Sequence, residues 1–283
     1  MRPPLVRSSG AHHVRGGVQR SSGLLESSLY TDTHCHLGLL NGAAPDDVVD
    51  RARAARVRTI VTVGVDLASS AECVHSTGAY DGVYASVGIH PNNAIEATEH
   101  VLARVRALAQ HPRVVGIGET GLDWFRDSCP PVRQEESFRE HIRLAKELDK
   151  ALVIHNREAD QDVVRVLDDE RAPPRTVFHC FSGGADLVET CAQRGWYLSF
   201  AGTVTFRNAS ELRKAAAVAP LHLIVAETDS PYLSPHPHRG KPNEPARVVH
   251  TVAQLAELHG LEPEEMARRT SANARRLFAL PGD

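Results

Sequence analysis

From Leu29 onward the chain repeats one unit: a short β-branched or apolar run, then a longer segment whose apolar positions recur every three or four residues. The short runs fall at Leu29–Cys35, Arg58–Val63, Gly82–Val87, Val114–Gly118, Ala151–Ile154, Thr176–Phe178, Trp196–Phe200 and His222–Ala226. Their continuous apolarity is that of strands buried on both faces. The longer segments predict helices at Pro45–Arg56, Ala68–Thr77, Ile95–Gln110, Val132–Lys150, Glu158–Asp169, Ala185–Arg194, Ser210–Ala219, Glu244–His259 and Pro263–Phe278. The clearest follows Pro130-Pro131 and puts Phe138, Ile142, Ala145 and Leu148 on one stripe. Eight strands alternating with helices predict an α/β protein, a closed (β/α)8 TIM barrel, with an open doubly wound sheet as the alternative. No G-x-G-x-x-G follows the first run, which weakens the dinucleotide-binding form of that alternative.

Composition sharpens this picture. The 283 residues, 42% of them hydrophobic, suffice for one barrel domain, expected over 29–283. Residues 1–28 differ: four arginines face a single Glu26, and no apolar stretch suits a secretory signal, so a disordered extension is expected there. A net charge of −3 gives no global basic field of the kind that holds a duplex without regard to sequence. Five scattered cysteines without a C-x-x-C pair argue against disulfides and a zinc module, and for a cytoplasmic protein. Nothing approaches the ~18 apolar residues of a membrane span, and no obligate protein partner is evident.

The polar residues that end the strands carry the chemistry. In Thr31-Asp32-Thr33-His34-Cys35-His36 the alternation of a strand sends His34 and His36 to one side and Cys35 to the other. Taken alone, His-x-His is as often two ordinary histidines as a metal half-site. The later strands add Glu119 among glycines, His155, His179 and Asp229, all at ends that a barrel gathers at one mouth. Singly, His155 and His179 read as core histidines and Asp229 as a turn residue. Together, four imidazoles and two carboxylates exceed what one tetrahedral ion with an open position needs, so two divalent ions sharing a carboxylate are expected, of the Mg, Mn or Zn kind. Cys35 and Cys180 lack a paired histidine and are expected to pack.

The motifs Asp32-Thr33-His34-Cys35-His36-Leu37, Val87-Gly88-Ile89-His90-Pro91, Gly116-Ile117-Gly118-Glu119-Thr120-Gly121-Leu122-Asp123, Ile154-His155-Asn156-Arg157-Glu158, His179-Cys180-Phe181-Ser182-Gly183, Glu227-Thr228-Asp229-Ser230-Pro231 and Arg239-Gly240-Lys241-Pro242-Asn243-Glu244-Pro245 follow in order. In this series the chain from about Tyr30 to Phe278 resembles the TatD-type metal-dependent deoxyribonucleases, a branch of the amidohydrolase-like barrels. The resemblance implies that His34, His36 and Asp229 hold one ion, His155 and His179 the other, and that Glu119 bridges. It implies two-metal hydrolysis of phosphodiesters, an exonuclease on single-stranded or frayed DNA ends, with Asp229 and Glu119 catalytic and Glu227 supporting the ligands from behind. Arg157, Arg239 and Lys241 are then candidates to grip substrate phosphate, His90 to line the pocket, and Trp124 or Phe125 to stack on a base. Gly38 stands where the family often has Asp, and Trp124-Phe125 replaces a more usual Tyr-Tyr or Tyr-Phe. An amidohydrolase, or a deacylase of mischarged tRNA, on the same site is the alternative, and a catalytically dead barrel serving as an interaction module is a third reading.

Overall fold

The computed structural model describes residues 1, 30–40 and 44–281, so the extension expected over 1–28 lies, Met1 apart, outside the described residues. Eight parallel strands pair in sequence order: β1 (Tyr30–Cys35), β2 (Val57–Val63), β3 (Val83–Val87), β4 (Val114–Asp123), β5 (Ala151–Arg157), β6 (Thr176–Phe178), β7 (Tyr197–Phe200) and β8 (Ile224–Ala226). Around them run α1 (Pro45–Ala54), α2 (Leu67–Ala79), α3 (Glu99–Ala109), α4 (Pro131–Glu147), α5 (Asp160–Asp169), α6 (Ala185–Arg194), α7 (Ser210–Val218), α8 (Val248–His259) and α9 (Pro263–Phe278). The ring closes between β8 and β1 at the mouth. Cys35 bridges Ser230 in parallel, the His36 N–H donates to the Ser230 carbonyl at 2.8 Å, and the Asp229 N–H donates to the His34 carbonyl at 2.9 Å. The fold is the (β/α)8 barrel, not the open sheet.

The residue types follow from which way each strand position faces. Outward positions such as Ile60, Val87, Leu152, Ile154, Phe178, Leu198 and Ile224 pack beneath the helices in one large core. Val61, Val63, Val115, Val153, Val177 and Val225 form a second, inner cluster with Ala274, Leu277 and Phe278 of α9. Compact β-branched side chains suit the crowded interior, and α9 closes its floor. Asn273 fastens that helix by donating to the Leu221 and Ile224 carbonyls at 2.8 and 2.6 Å. Because alternation has a period of two, the inward column continues upward from Val153 to His155, from Val177 to His179 and from Val225 to Glu227. The core therefore aims those polar side chains into the mouth.

The largest differences from the expected boundaries are three. β4 does not stop at Gly118 but runs to Asp123, because β5 also continues and pairs Thr120 with Ile154 through to Asp123 with Arg157. Local hydrophobicity cannot see that mutual support. α3 begins at Glu99 because the Thr98 hydroxyl accepts from the Val101 N–H, while Pro91–Glu96 forms a separate 3-10 turn. Likewise Pro245–Arg247 is a 3-10 turn before α8.

Asp32, given no role by the sequence reading, ties β1 to the end of β8. Fully buried, it accepts from the Thr228 N–H at 2.8 Å and from the Thr228 hydroxyl at 2.6 Å. Burial pushes its carboxyl well above the usual range against the pull of those bonds. Asp32→Ala leaves the Thr228 N–H unpaired in the interior, while its hydroxyl keeps Ser230 Oγ at 3.0 Å, and a loss of roughly 1–3 kcal/mol is expected. Urea denaturation checks this, as a lower midpoint at unchanged slope; an unchanged midpoint would mean the strand closure does not depend on Asp32.

Candidate metal centre

Four of the expected residues surround one carboxylate. Glu119, almost fully buried on β4, turns Oε1 toward His155 Nδ1 at 2.8 Å and His179 Nε2 at 2.9 Å. Its Oε2 faces His34 Nε2 at 3.4 Å and His36 Nε2 at 3.9 Å. Asp229 Oδ1 stands on that second side, 3.5 Å from His36 Nε2 and 4.0 Å from His34 Nε2. The six residues thus fall into two groups that share Glu119, and donor atoms of His34, His36 and Asp229 lie close enough together to hold one ion.

Three of the four rings are aimed by a bond on the far side. The His36 Nδ1–H donates to the Val63 carbonyl at 2.8 Å, leaving Nε2 free to face the cluster. The Glu227 carboxylate, completely buried, accepts from His179 Nδ1 at 3.2 Å and from the Cys180 N–H at 2.8 Å, and the Ser199 hydroxyl holds its other oxygen. Asp123 Oδ2 lies 3.2 Å from His155 Nε2. A carboxylate or carbonyl behind each of these three imidazoles fixes its tautomer and raises its basicity, as it does behind metal-ligating histidines.

His90 stands within the cluster, with Nε2 at 3.4 Å from Glu119 Oε1. Its Nδ1 accepts the Asn92 N–H at 3.0 Å, so the neutral ring carries its proton on Nε2. His90 is thereby a donor toward Glu119 and not a free lone pair. Burial lowers its pKa and keeps it neutral.

The electrostatics favour positive charge here. Burial alone would raise the Glu119 carboxyl, yet His179 and His90, with hydrogen bonds from His155 and His179, hold it well below the usual range. Burial would also lower His179, but Glu119 and Glu227 raise it well above the ordinary imidazole value. His34, like His90, moves the other way: burial and the neighbouring His179 lower it. It is 0% exposed, stacked 4.0 Å from the His179 ring, and neither of its ring nitrogens has a hydrogen-bond partner. The Glu119 oxygen at 3.4 Å from His34 is close but off the hydrogen-bonding direction. Buried polar atoms are nearly always satisfied, and a neutral imidazole lone pair facing two carboxylates is what a divalent cation requires. The donor set therefore fits the expected metal.

A cavity of about 560 Å³ opens over this cluster, lined by His36, His90, Glu119, His155, His179 and Asp229 and rimmed by Arg126, Arg157 and Tyr232. A larger groove of about 690 Å³ lies between α2 and α3, lined by Leu67, Ala71, Val101 and Leu108, and it holds no such cluster. Among the expected phosphate contacts, Arg157 lines the mouth with its guanidinium stacked 3.7 Å from the Phe125 ring centroid. Arg239 and Lys241 do not line it. Arg239 stacks on Phe206 at 3.7 Å and donates to the Ser234 carbonyl at 3.1 Å, and Lys241 lies exposed on the same loop. Trp124 turns away, its indole N–H donating to Asp162 at 3.0 Å. Cys35 packs in the outer core, whereas Cys180 lines the cavity, because the chain has left β6 and alternation no longer governs it. Burial pushes the Cys180 thiol well up, so it remains unreactive.

Sequence reasoning passed over Asp123 and Arg126. Asp123 has the spacing of a third inward position after Glu119 and Gly121, the one signal that could have found it. Its Oδ1 accepts the Phe125 and Arg126 N–H groups, both at 3.0 Å, so one side chain holds the lip and the His155 ring together.

Comparison with known proteins gives the family of the chain. Residues 31–279 match the family described as TatD related DNase. The chain is 46% identical over 258 residues to a protein of Mycobacterium tuberculosis named "Uncharacterized metal-dependent hydrolase TatD", covering 88% of this chain and 97% of that one. It is 36% identical over 239 residues to the "3'-5' ssDNA/RNA exonuclease TatD" of Cronobacter sakazakii, covering 82% and 91%. The crystal structure of YJJV, a TatD homolog from Escherichia coli K12, superimposes with a TM-score of 0.84 at 29% identity, covering 89% of this chain and 98% of that one.

Proposed function

Because the chain belongs to the TatD family of metal-dependent hydrolases, we propose that it is a phosphodiesterase of nucleic acid, an exonuclease at unpaired or frayed DNA ends. The observation that carries this reading is His34, a buried neutral imidazole whose nitrogens have no partner, facing the carboxylates of Glu119 and Asp229. His34, His36 and Asp229 would hold one divalent ion on the Oε2 side of Glu119, and His155 and His179 a second on the Oε1 side. When bound, such ions supply a nucleophile at neutral pH and neutralise the charge that develops on phosphoryl oxygens.

The remaining chemistry belongs to the chain. Asp229 borders the cavity and takes the proton of the attacking water, its own carboxyl held low by His36 and His179 although burial acts the other way. Glu227 and Asp123 keep His179 and His155 from turning. Arg157 and Arg126 bring guanidinium groups to the rim, where a substrate phosphate approaches. The Cronobacter relative's name, an exonuclease on single-stranded DNA and RNA, supports the choice of substrate. No helix among the described residues is long and apolar enough to cross a membrane.

Metal-stripped protein is expected to leave 3′- and 5′-labelled single-stranded oligonucleotides intact and to degrade them once Mg, Mn or Zn is returned. Ions that bind only the folded chain should also stabilise it, by about 2.7 kcal/mol at one hundred times their Kd, which a thermal melt reads separately from activity. Brisk metal-dependent cleavage of amides, lactones or aminoacyl-tRNA with DNA and RNA untouched would overturn the phosphodiesterase reading in favour of an amidohydrolase or deacylase.

A further inference from the structure

Among the described residues, Phe125 and Tyr232 are the aromatic residues that stand more than half exposed, at 56% and 54%. Every other described Phe, Tyr and Trp is buried or half-buried. Scattered apolar residues on a surface need no explanation, but both exposed rings stand on the one mouth that holds the carboxylate–imidazole cluster. Tyr232 follows β8 and lies edge-on to His36, with ring centroids 6.2 Å apart. Phe125 follows β4 and carries the Arg157 guanidinium on its face. In the strand order of the barrel, β4 and β5 lie across from β8 and β1. The two rings therefore stand on opposite lips with Glu119 between them.

Neither ring is loosely held. The Phe125 N–H donates to Asp123 Oδ1 at 3.0 Å, the Tyr232 N–H donates to the Asp229 carbonyl at 2.9 Å, and the Tyr232 carbonyl accepts from the Asn243 amide at 2.6 Å. Each ring is thus tied through backbone to a carboxylate residue of the site. Fixed aromatic faces beside a phosphate-handling centre, with guanidinium groups alongside, are the elements from which sequence-tolerant recognition of single strands is built.

Resting on the phosphodiesterase reading, we infer that Phe125 with Arg157 on one lip, and Tyr232 on the other, are two base-stacking shelves for the nucleobases flanking the scissile phosphate. Bases held on opposite lips can be neither stacked on one another nor paired with a second strand. Selection of unpaired ends is then a consequence of the shelves, indifferent to base identity because every base offers a π face. A blunt duplex must fray by two nucleotides before it can be seated.

The test uses the full chain and single-stranded oligonucleotides with 2-aminopurine or an abasic residue at the terminal or penultimate position. Bound by metal-stripped protein, 2-aminopurine should be quenched at both positions, and Phe125→Ala and Tyr232→Ala should each restore its fluorescence at one of them. With metal returned, each variant should lose roughly 5- to 150-fold in kcat/KM. Each should then suffer no further loss from an abasic residue at its own position, while Phe125→Trp and Tyr232→Phe retain most of the wild-type value. Unquenched 2-aminopurine in wild type, or abasic and alanine losses that multiply at both positions, would overturn the shelves. Quenching without turnover under any metal would leave the shelves standing and sink the hydrolysis reading alone.

Discussion

Glu119→Ala is expected to lower metal-dependent turnover by at least ~10³-fold, about 4 kcal/mol of transition-state stabilisation, while the protein still folds. Four imidazoles present a nitrogen to this carboxylate within 3.4 Å, from β1, from the segment after β3, from β5 and from beyond β6. No neighbouring residue can replace it, since Asp229 is engaged with His36 and Asp123 sits behind His155. The variant also removes the negative charge that keeps His179 protonated in the metal-free protein, so that ring should titrate at a lower pH. Metal content by elemental analysis, oligonucleotide cleavage and the histidine NMR titration measure the three consequences independently. A variant that kept more than a tenth of wild-type activity with a full complement of metal would show that Glu119 is not the shared ligand.

Gly121→Ala is expected to combine the loss of activity with a loss of fold. Gly121 has φ +140°, and a Cβ placed there would sit 2.0 Å from the His155 carbonyl oxygen and 3.0 Å from the carbonyl carbon. The backbone conformation is one that side chains avoid, at about 1–3 kcal/mol, and the contact can be relieved only by parting β4 from β5. With a further cost of overpacking, a destabilisation of about 3–5 kcal/mol follows. The displacement falls on His155 itself, and a shift of about 1 Å in a reacting geometry costs on the order of 10²-fold in rate. Denaturation and kcat/KM should fall together. Normal stability with normal kinetics would mean that the two strands yield more easily than their pairing suggests.

Much of the fold was legible because each strand is buried on both faces, and the alternation of apolar runs with helical stripes is therefore strong in the chain. That Glu119 would meet His34, His36, His155, His179 and Asp229 was legible for a related reason. A barrel gathers the strand ends at one mouth, so position along a strand stands in for position in space. What the sequence hid depends on partners. β4 outruns its apolar core only because β5 runs beside it, and Asp32 finds Thr228 across the closure of the ring. Asp123 could be seen in the sequence as a carboxylate at the end of a glycine-rich stretch, but not that it braces His155. Arg239 and Lys241 read as candidate phosphate contacts within the motifs that carry the family resemblance. The loop after β8 carries them elsewhere, where Arg239 lies on Phe206.

The floor laid by Leu277 and Phe278 turns the barrel into a blind well. On the phosphodiesterase reading proposed above, anything released over that floor leaves by the mouth through which the substrate entered. Free mononucleotide is then expected to compete with the strand end for the same opening, which product-inhibition kinetics would measure.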